Sequence, residues 1–487
     1  MLYDEMRSYM EFILAELSGL YGQENIREFN EIINLYNFYD GPGQNWQDEE
    51  ELEYEATKKK TNYVKKLIKE EARFLFGKTP ELRIESHNDS EAEKNKEEEL
   101  NKYIKQVLDN NLFSDKLIKA ARDAFIGKRV AIKLNADAKN KTLKIMFLPS
   151  LEFVFEPSEE NQDELQKIVF FYNTNQETER DKQRVWKQKY EMVNGRCLLT
   201  EGIYNGYGFP IEVLAEDVDL QLSGIPAYVV INDGLTGDLK GESDVIELMD
   251  NQNSYNKMAS EDIDSLKKGM NRIIYGIDVS PESSEKFQIK PGAFWDVETD
   301  PTTTEGKQAS LNTIGTDFGY GEKIQETLKR AKADMYELLN IPNISNEELK
   351  GMMTSGKSMK ALYWQLITRC EEKMMAWRPA LQWLVEAIME LTRVYNIESI
   401  PEITDYQVVV ENNYPLQEDE DTEIALDLQK VNMQAMSRKS FIKKWANATD
   451  DVADEELKQI VSEARMLEAA FNTMLGDNQQ QEDDIDE

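Results

Sequence analysis

Five β-type segments joined by short polar links occupy residues 129 to 205: RVAIKL, KIMFLPSLEFVFEP, KIVFFYNT, VWKQKYEMV and RCLLTEGIYN. Their β-branched and aromatic content suits a pleated, half-buried surface. Links such as NADAKNKT and NTNQETERD are too short for crossover helices, so the spacing predicts antiparallel pairing. Helical periodicity surrounds this block. Residues 3 to 38 carry apolar residues at helical intervals. After the turn-rich YDGPGQNW, Tyr63, Val64, Leu67, Ile68, Ala72 and Leu75 mark an amphipathic helix ended by Gly77 and Pro80. One further helix is predicted from about Glu98 to Phe125. Lys58, Lys59, Lys60, Lys65 and Lys66 read as a solvated face. Gly206 and Gly208 lie in YNGYGFP without the third glycine of a dinucleotide fingerprint, and read as a turn.

Downstream, Ser243 is a plausible N-cap for a long helix to about Met270, with Asp244 and Glu247 in its first turn. A strand-and-turn insert follows (RIIYG, FQIKPGAFWDV, DPTTTEG). A second helix through Ile324, Leu328, Ala331, Met335 and Leu338 then ends before Pro342. Beyond the polar NISNEELKGMMTSGKS, the pattern predicts a helix from Ser358 to Arg393, ~54 Å long if continuous, with a bend at Pro379. Trp364, Met374, Trp377 and Trp383 on it read as core. The strand YQVVVEN and a helical C-terminal unit follow. The final DNQQQEDDIDE is acidic and cannot bury apolar surface, so it reads as disordered.

Composition removes whole classes of chemistry. With 487 residues the chain can hold two to four structural units. His87 is the sole histidine, in the polar stretch ESHNDSEAEKNKEEE, and the cysteines are two, Cys197 and Cys370. A Cys/His zinc site, a Ser-His-Asp triad and a Cys-His pair are therefore not expected, and neither catalytic residues nor metal or cofactor ligands are singled out. A formal charge of -36 argues against coating nucleic acid or anionic membrane through the overall field. No apolar run approaches the ~20 residues of a membrane span, and the acidic N-terminus is unlike a signal peptide; a soluble protein of a reducing cytoplasm is expected.

One motif points elsewhere. GMMTSGKS, Gly351 to Ser358, satisfies the phosphate-loop pattern GxxxxGK followed by Ser or Thr, and VVVEN at 408–412 resembles a strand ending in a carboxylate. A phosphate loop needs a buried parallel strand directly before it, and NISNEELK is polar. GKT at Gly77 to Thr79 follows a helix and has Ala72 in place of the first glycine, so it reads as a helix end.

The order of parts resembles the portal proteins of tailed bacteriophages, of the type found in long-tailed phages of Gram-positive bacteria. The resemblance rests on YDG at Tyr39 to Gly41, TNYVKKLIKEEARFLFGKTPEL, IPAYVVINDGLTGDLKGESDVIELMDNQNSYNKMASEDID, SGKSMKAL, SRKSFIKKW and DDVADEELKQIVSEA. It implies an α+β, portal-like fold: N-terminal helices and an α/β wing (1–242), a first stem helix (243–270), a clip (271–318), a second stem helix (319–345), a tunnel loop (346–357), a kinked long helix with a wing return strand (358–419), a helical crown (420–475) and an acidic tail (476–487). It further implies a non-enzymatic ring of twelve subunits at one capsid vertex, present in the host cytoplasm during assembly. Through the ring double-stranded DNA passes without sequence preference. The partners implied are terminase, the head-tail connector, and the major capsid and scaffolding proteins, with no membrane. Twelve copies would carry about -432, a field that repels phosphates and lets DNA slide. Channel candidates are Lys350, Gly351, Met352, Met353, Gly356, Lys357 and Lys360 near the loop, and Lys329, Arg330 and Lys332 on the second stem helix. Phe294 and Trp295 are partner-docking candidates in the clip. The alternatives are a P-loop NTPase or motor of a packaging complex, and another acidic capsid-assembly protein.

Overall fold

The computed structural model describes residues 9–17, 22–46, 55–88, 90–162, 164–175, 177–235, 237–270, 273–281, 297–302, 308–314, 321–344, 356–416, 420–446, 452–463 and 465–466. It is an α+β protein. The chain divides into two units, one of residues 1–344 with 363–415, the other of residues 345–362 with 416–487.

The first unit is built on antiparallel sheets. Strands β2 (Arg129–Asp137), β3 (Thr142–Pro149) and β9 (Ala227–Ile231) form one, in the order β3-β2-β9. Ala131 stands opposite Leu148 on one side and Val229 on the other. Being central, β2 is buried from Arg129 to Leu134, which is why RVAIKL reads as a near-continuous apolar run. Strands β4 (Phe153–Pro157), β5 (Leu165–Asn173), β6 (Val185–Val193), β7 (Arg196–Tyr204) and β8 (Pro210–Asp219) form a five-stranded meander in sequence order. Ile168, Val169, Phe170 and Phe171 of β5 are fully buried. The third sheet joins distant chain segments: β1 (Glu81–Ser86) pairs with β12 (Tyr406–Glu411), Ile84 opposite Val408.

At two sheet edges an asparagine side chain takes up backbone groups as a further strand would. Asn101 accepts from the Ile84 amide at 2.7 Å and donates to the Ile84 carbonyl at 2.9 Å. Asn111 likewise accepts from the Ile145 amide at 2.8 Å and donates to the Leu143 carbonyl at 2.9 Å.

Among the helices, α1 (Met10–Leu14) and α2 (Gly22–Asp40) precede α3 (Tyr63–Phe76), which is capped by Asn62 accepting from the Lys65 amide. Val64, Leu67, Ile68, Ala72 and Leu75 are its buried stripe, as the spacing predicts. The single helix expected from Glu98 to Phe125 is two, α4 (Glu91–Asn110) and α5 (Phe113–Gly127). Leu112 between them takes a left-handed conformation, φ 51°, which no continuing α-helix tolerates. The helix expected from Ser358 is also two: α8 (Gly356–Leu362) in the second unit and α9 (Trp364–Val394) in the first. Pro379 lies inside α9. Met374 and Trp377 are core, Trp377 meeting Phe76 edge-on at 5.1 Å between ring centres. Trp383 lies partly exposed against Tyr228. Trp364 contradicts the core reading, for at the first position of α9 it is 66% exposed. Strands β8 and β9 were not singled out from the sequence. His87 is exposed and both cysteines are buried free thiols.

The second unit contains α8, α10 (Glu420–Asn432), α11 (Arg438–Trp445) and a helical stretch at 452–463. Asp427 organises it by accepting from Lys430 and Lys444, each at 2.7 Å, and from the Trp445 indole at 3.2 Å. The hydrogen bonds from the two lysines hold its carboxyl down at about 2. The acidic tail, 476–487, lies outside the described residues.

Candidate functional site

Two long helices in the first unit, α6 (Asp244–Met270) and α7 (Gly321–Leu338), pack against each other. Between them in sequence, strands β10 (Ile273–Ile277) and β11 (Ser310–Ile314) pair antiparallel, Ile273 opposite Ile314. At ~1.5 Å per residue, α6 is ~40 Å long. Helices of this length need lateral support, and α6 has two kinds.

The first is a polar ladder. Gln252, Asn256, Ser260 and Asp264 recur every fourth residue, so one face of α6 carries them in a row. Each takes a backbone group from the extended segment 57–63. Gln252 accepts from the Tyr63 amide at 2.8 Å and donates to the Thr61 carbonyl at 2.8 Å. Asn256 accepts from the Thr61 amide at 2.9 Å, Ser260 from the Lys59 amide at 3.0 Å, and Asp264 from the Thr57 amide at 2.8 Å. The register works because four helical residues rise ~6 Å and two extended residues ~6.6 Å. The odd-numbered backbone is thereby strapped to the helix, and the side chains of Lys58, Lys59 and Lys60 are exposed.

The second is a buried ionic clamp at the start of α6. Arg369 of α9 donates through Nε to Glu71 of α3 and through Nη2 to Asp244, both at 2.8 Å. Lys373, one turn further along α9, donates to Asp244 at 2.9 Å and to Asn232 at 3.0 Å, and lies 4.4 Å from the Phe125 ring centre. Burial raises the Glu71 carboxyl above its usual range, helped by Asp244 and opposed by the two cations. Burial also works against the charge on Lys373, but Asp244 and Glu71 outweigh it and hold its pKa above the ordinary value. Two carboxylates and two cations share one dry volume, joining α3, α6 and α9. Sequence reasoning passed over both devices. The i, i+4 spacing of Gln252 to Asp264, and of Arg369 with Lys373, was the available signal.

Of the residues the sequence singled out, Lys329 and Arg330 are exposed on α7. Lys332 is half-buried, its ammonium 5.9 Å from the Tyr63 ring centre and 5.5 Å from that of Tyr336. The neighbouring Lys66 donates to the Tyr336 hydroxyl at 2.7 Å. Alpha-helix α7 carries four basic and four acidic residues, a balanced stretch in a chain of charge -36. Gly356 and Lys357 open α8, and Lys360 is exposed on it. Lys350, Gly351, Met352 and Met353 lie outside the described residues, as do Phe294 and Trp295. The structure therefore brings Lys329, Arg330 and Lys332 onto one helix.

The strand VVVEN is β12, paired antiparallel with β1. Every strand pairing among the described residues is antiparallel, so none forms the parallel sheet that a phosphate loop needs. Among the described residues no group of His, Cys, Asp and Glu side chains could hold a metal ion, and no helix is long and apolar enough to cross a membrane.

These features define a class: an α+β protein of antiparallel sheets organised about two braced long helices. The family model described as phage portal protein, SPP1 Gp6-like, matches residues 20–469, nearly the whole chain, and the protein belongs to that family. It is a phage portal protein, a structural component of the virion at the capsid vertex, concerned with genome packaging. No curated protein matches the chain.

Proposed function

We propose that the chain assembles as a ring of twelve at one capsid vertex, forming the channel through which DNA is packaged and ejected, and that it does so without catalysis. The observation that carries this reading is the family match over residues 20–469. The braced helices α6 and α7 are the stem in this reading, residues 271–318 the clip that docks terminase and later the head-tail connector, and 346–357 the tunnel loop. The wing comprises residues 1–242 with the return strand, and the crown residues 420–475.

The charge distribution supports a low-friction bore. A net negative ring repels phosphate, and a few cations in it provide transient contacts without strong binding. Lys329 and Arg330 are the candidates on α7, being exposed and without an ion-pair partner among the described residues. Lys350, Lys357 and Lys360 are those near the loop. Phe294 and Trp295 anchor the clip's partner in this reading.

Negative-stain images of the purified protein test the ring: particles with a central hole and twelve-fold symmetry are expected, and uniform monomers at all salt concentrations would overturn it. Replacing Lys329 and Arg330 with Glu tests the bore. Rings should persist while packaged DNA length or retention in capsids falls. Unchanged packaging would remove these two residues from the channel.

A further inference from the structure

The sequence holds two Asn-Gly pairs, Asn194-Gly195 and Asn205-Gly206, and the fold treats them in opposite ways. Such a pair is chemically labile because glycine puts no side chain between its own amide nitrogen and the preceding carboxamide. That nitrogen can attack the asparagine Cγ where its N–H is free and the carboxamide can swing over it. Asn194 and Gly195 form the two-residue turn between β6 and β7, where Val193 pairs with Arg196. Both have positive φ, 54° and 74°, as a hairpin turn of this length requires. Both are exposed, and a Cβ built on Gly195 would meet nothing within 4 Å. Among the described residues neither the Asn194 side chain nor the Gly195 amide has a hydrogen-bond partner. Bringing the carboxamide over the Gly195 nitrogen therefore moves only the turn, with no packing or hydrogen bond to give up.

Asn205-Gly206 is locked at each of these points. The Gly206 amide donates to the Arg180 carbonyl at 2.8 Å. The glycine is buried, and a Cβ there would strike Gln183 Oε1 and the Arg180 backbone. The Asn205 side-chain oxygen accepts from the Tyr207 amide at 3.1 Å and from the Phe209 amide at 2.9 Å. Attack at this pair would have to break all of these hydrogen bonds first.

We propose that Asn194 is a site of spontaneous deamidation in the folded protein and that Asn205 is protected from it. The Gly195 nitrogen bonds to Asn194 Cγ, closing a succinimide ring. Its proton passes to the departing side-chain nitrogen, which leaves as ammonia. Water then adds to either ring carbonyl and opens the ring to aspartate or to isoaspartate. Either product adds a carboxylate at the hairpin tip, next to Arg196, which pairs with Asp219 at 3.8 Å. Isoaspartate also routes the main chain through one extra carbon, which takes the two-residue turn out of the geometry that pairs Val193 with Arg196. The site is independent of the ring and channel reading.

The test ages the full-length protein at pH 8 and follows both pairs by mass spectrometry of proteolytic peptides, with isoaspartate read by enzymatic methylation. In the folded protein Asn194 should convert at least tenfold faster than Asn205. Its conversion should be faster at pH 8 than at pH 6, because the attacking amide must lose its proton. In denaturing urea the two pairs should convert at similar rates, which isolates the contribution of the fold. Comparable conversion of both pairs in the folded protein, or an Asn194 that converts only in urea, would overturn the proposal. So would a tenfold difference that persists in urea, which would assign the preference to flanking sequence instead of structure.

Discussion

Lys373 of α9 donates two hydrogen bonds to Asp244, at 2.9 and 3.0 Å, inside a volume where both side chains are almost completely buried. Asp244 is also the first residue of α6, where a carboxylate faces the positive end of the helix dipole. One side chain therefore ends the helix electrostatically and ties it to α9.

Removing one cation should be far worse than removing a pair. Lys373→Met leaves Asp244 and Glu71 sharing only Arg369, and should cost about 3–5 kcal/mol in urea unfolding at fixed protein concentration. Lys373→Met combined with Asp244→Asn should lose less than the sum of the single changes. Strict additivity would show that the two side chains do not interact energetically.

The ladder on α6 predicts a local effect. Gln252→Leu removes the acceptor of the Tyr63 and Val64 amides and a donor to the Thr61 carbonyl, leaving the Tyr63 amide and Thr61 carbonyl only their mutual 3.1 Å bond. Each unsatisfied group costs about 1–3 kcal/mol, so hydrogen exchange at residues 57–64 should accelerate tenfold or more while β5 and β6 stay protected. An unchanged exchange rate there would mean that the strap is held by something other than α6.

Acid behaviour can be read at Glu152 and Asp123. Burial, reinforced by Asp123, raises the Glu152 carboxyl to about 7, and burial raises Asp123 to about 6. The folded state holds these protons more tightly than the unfolded chain. Their contribution is therefore full at low pH and is lost as pH rises from the ordinary carboxylate range through 6 to 7. Glu152→Gln should raise stability at pH 8 by on the order of 2 kcal/mol and leave it unchanged below pH 4. Thermal melts at the two pH values check this; an equal shift at both would assign the effect to packing.

Nucleotide binding provides the fourth expectation. With β12 antiparallel to β1, the segment VVVEN has no parallel neighbour from which to present a carboxylate to magnesium. Calorimetry with ATP and magnesium should show no saturable heat. A micromolar dissociation constant abolished by Lys357→Ala would restore the motor alternative.

The periodic elements were legible from the residues alone, because one buried face writes a period into the chain. The stripe Val64, Leu67, Ile68, Ala72, Leu75 and the apolar runs of β2 and β5 are of this kind. The order of parts also carried the family. The break at Leu112 was hidden, since apolar spacing continues across it; the end of α4 is fixed by the Asn111 side chain, which bonds to the Val107 carbonyl one turn back and to the β3 edge. Strand β8 was hidden for the opposite reason: it buries neither face, so no period-2 burial selected its sequence. Trp364 read as core by type, and only its place at the start of α9 exposes it. The clamp was least legible of all. Glu71, Asp244, Arg369 and Lys373 are separated by up to 302 residues and are common types in a chain rich in charge, so beyond the i, i+4 spacing of Arg369 and Lys373 nothing in the sequence joins them. Sequence periodicity determined which elements form, because burial on one face is a local pattern. Tertiary structure alone decided which charges meet, because the desolvation that makes an ion pair obligatory arises only when α3, α6 and α9 exclude water together.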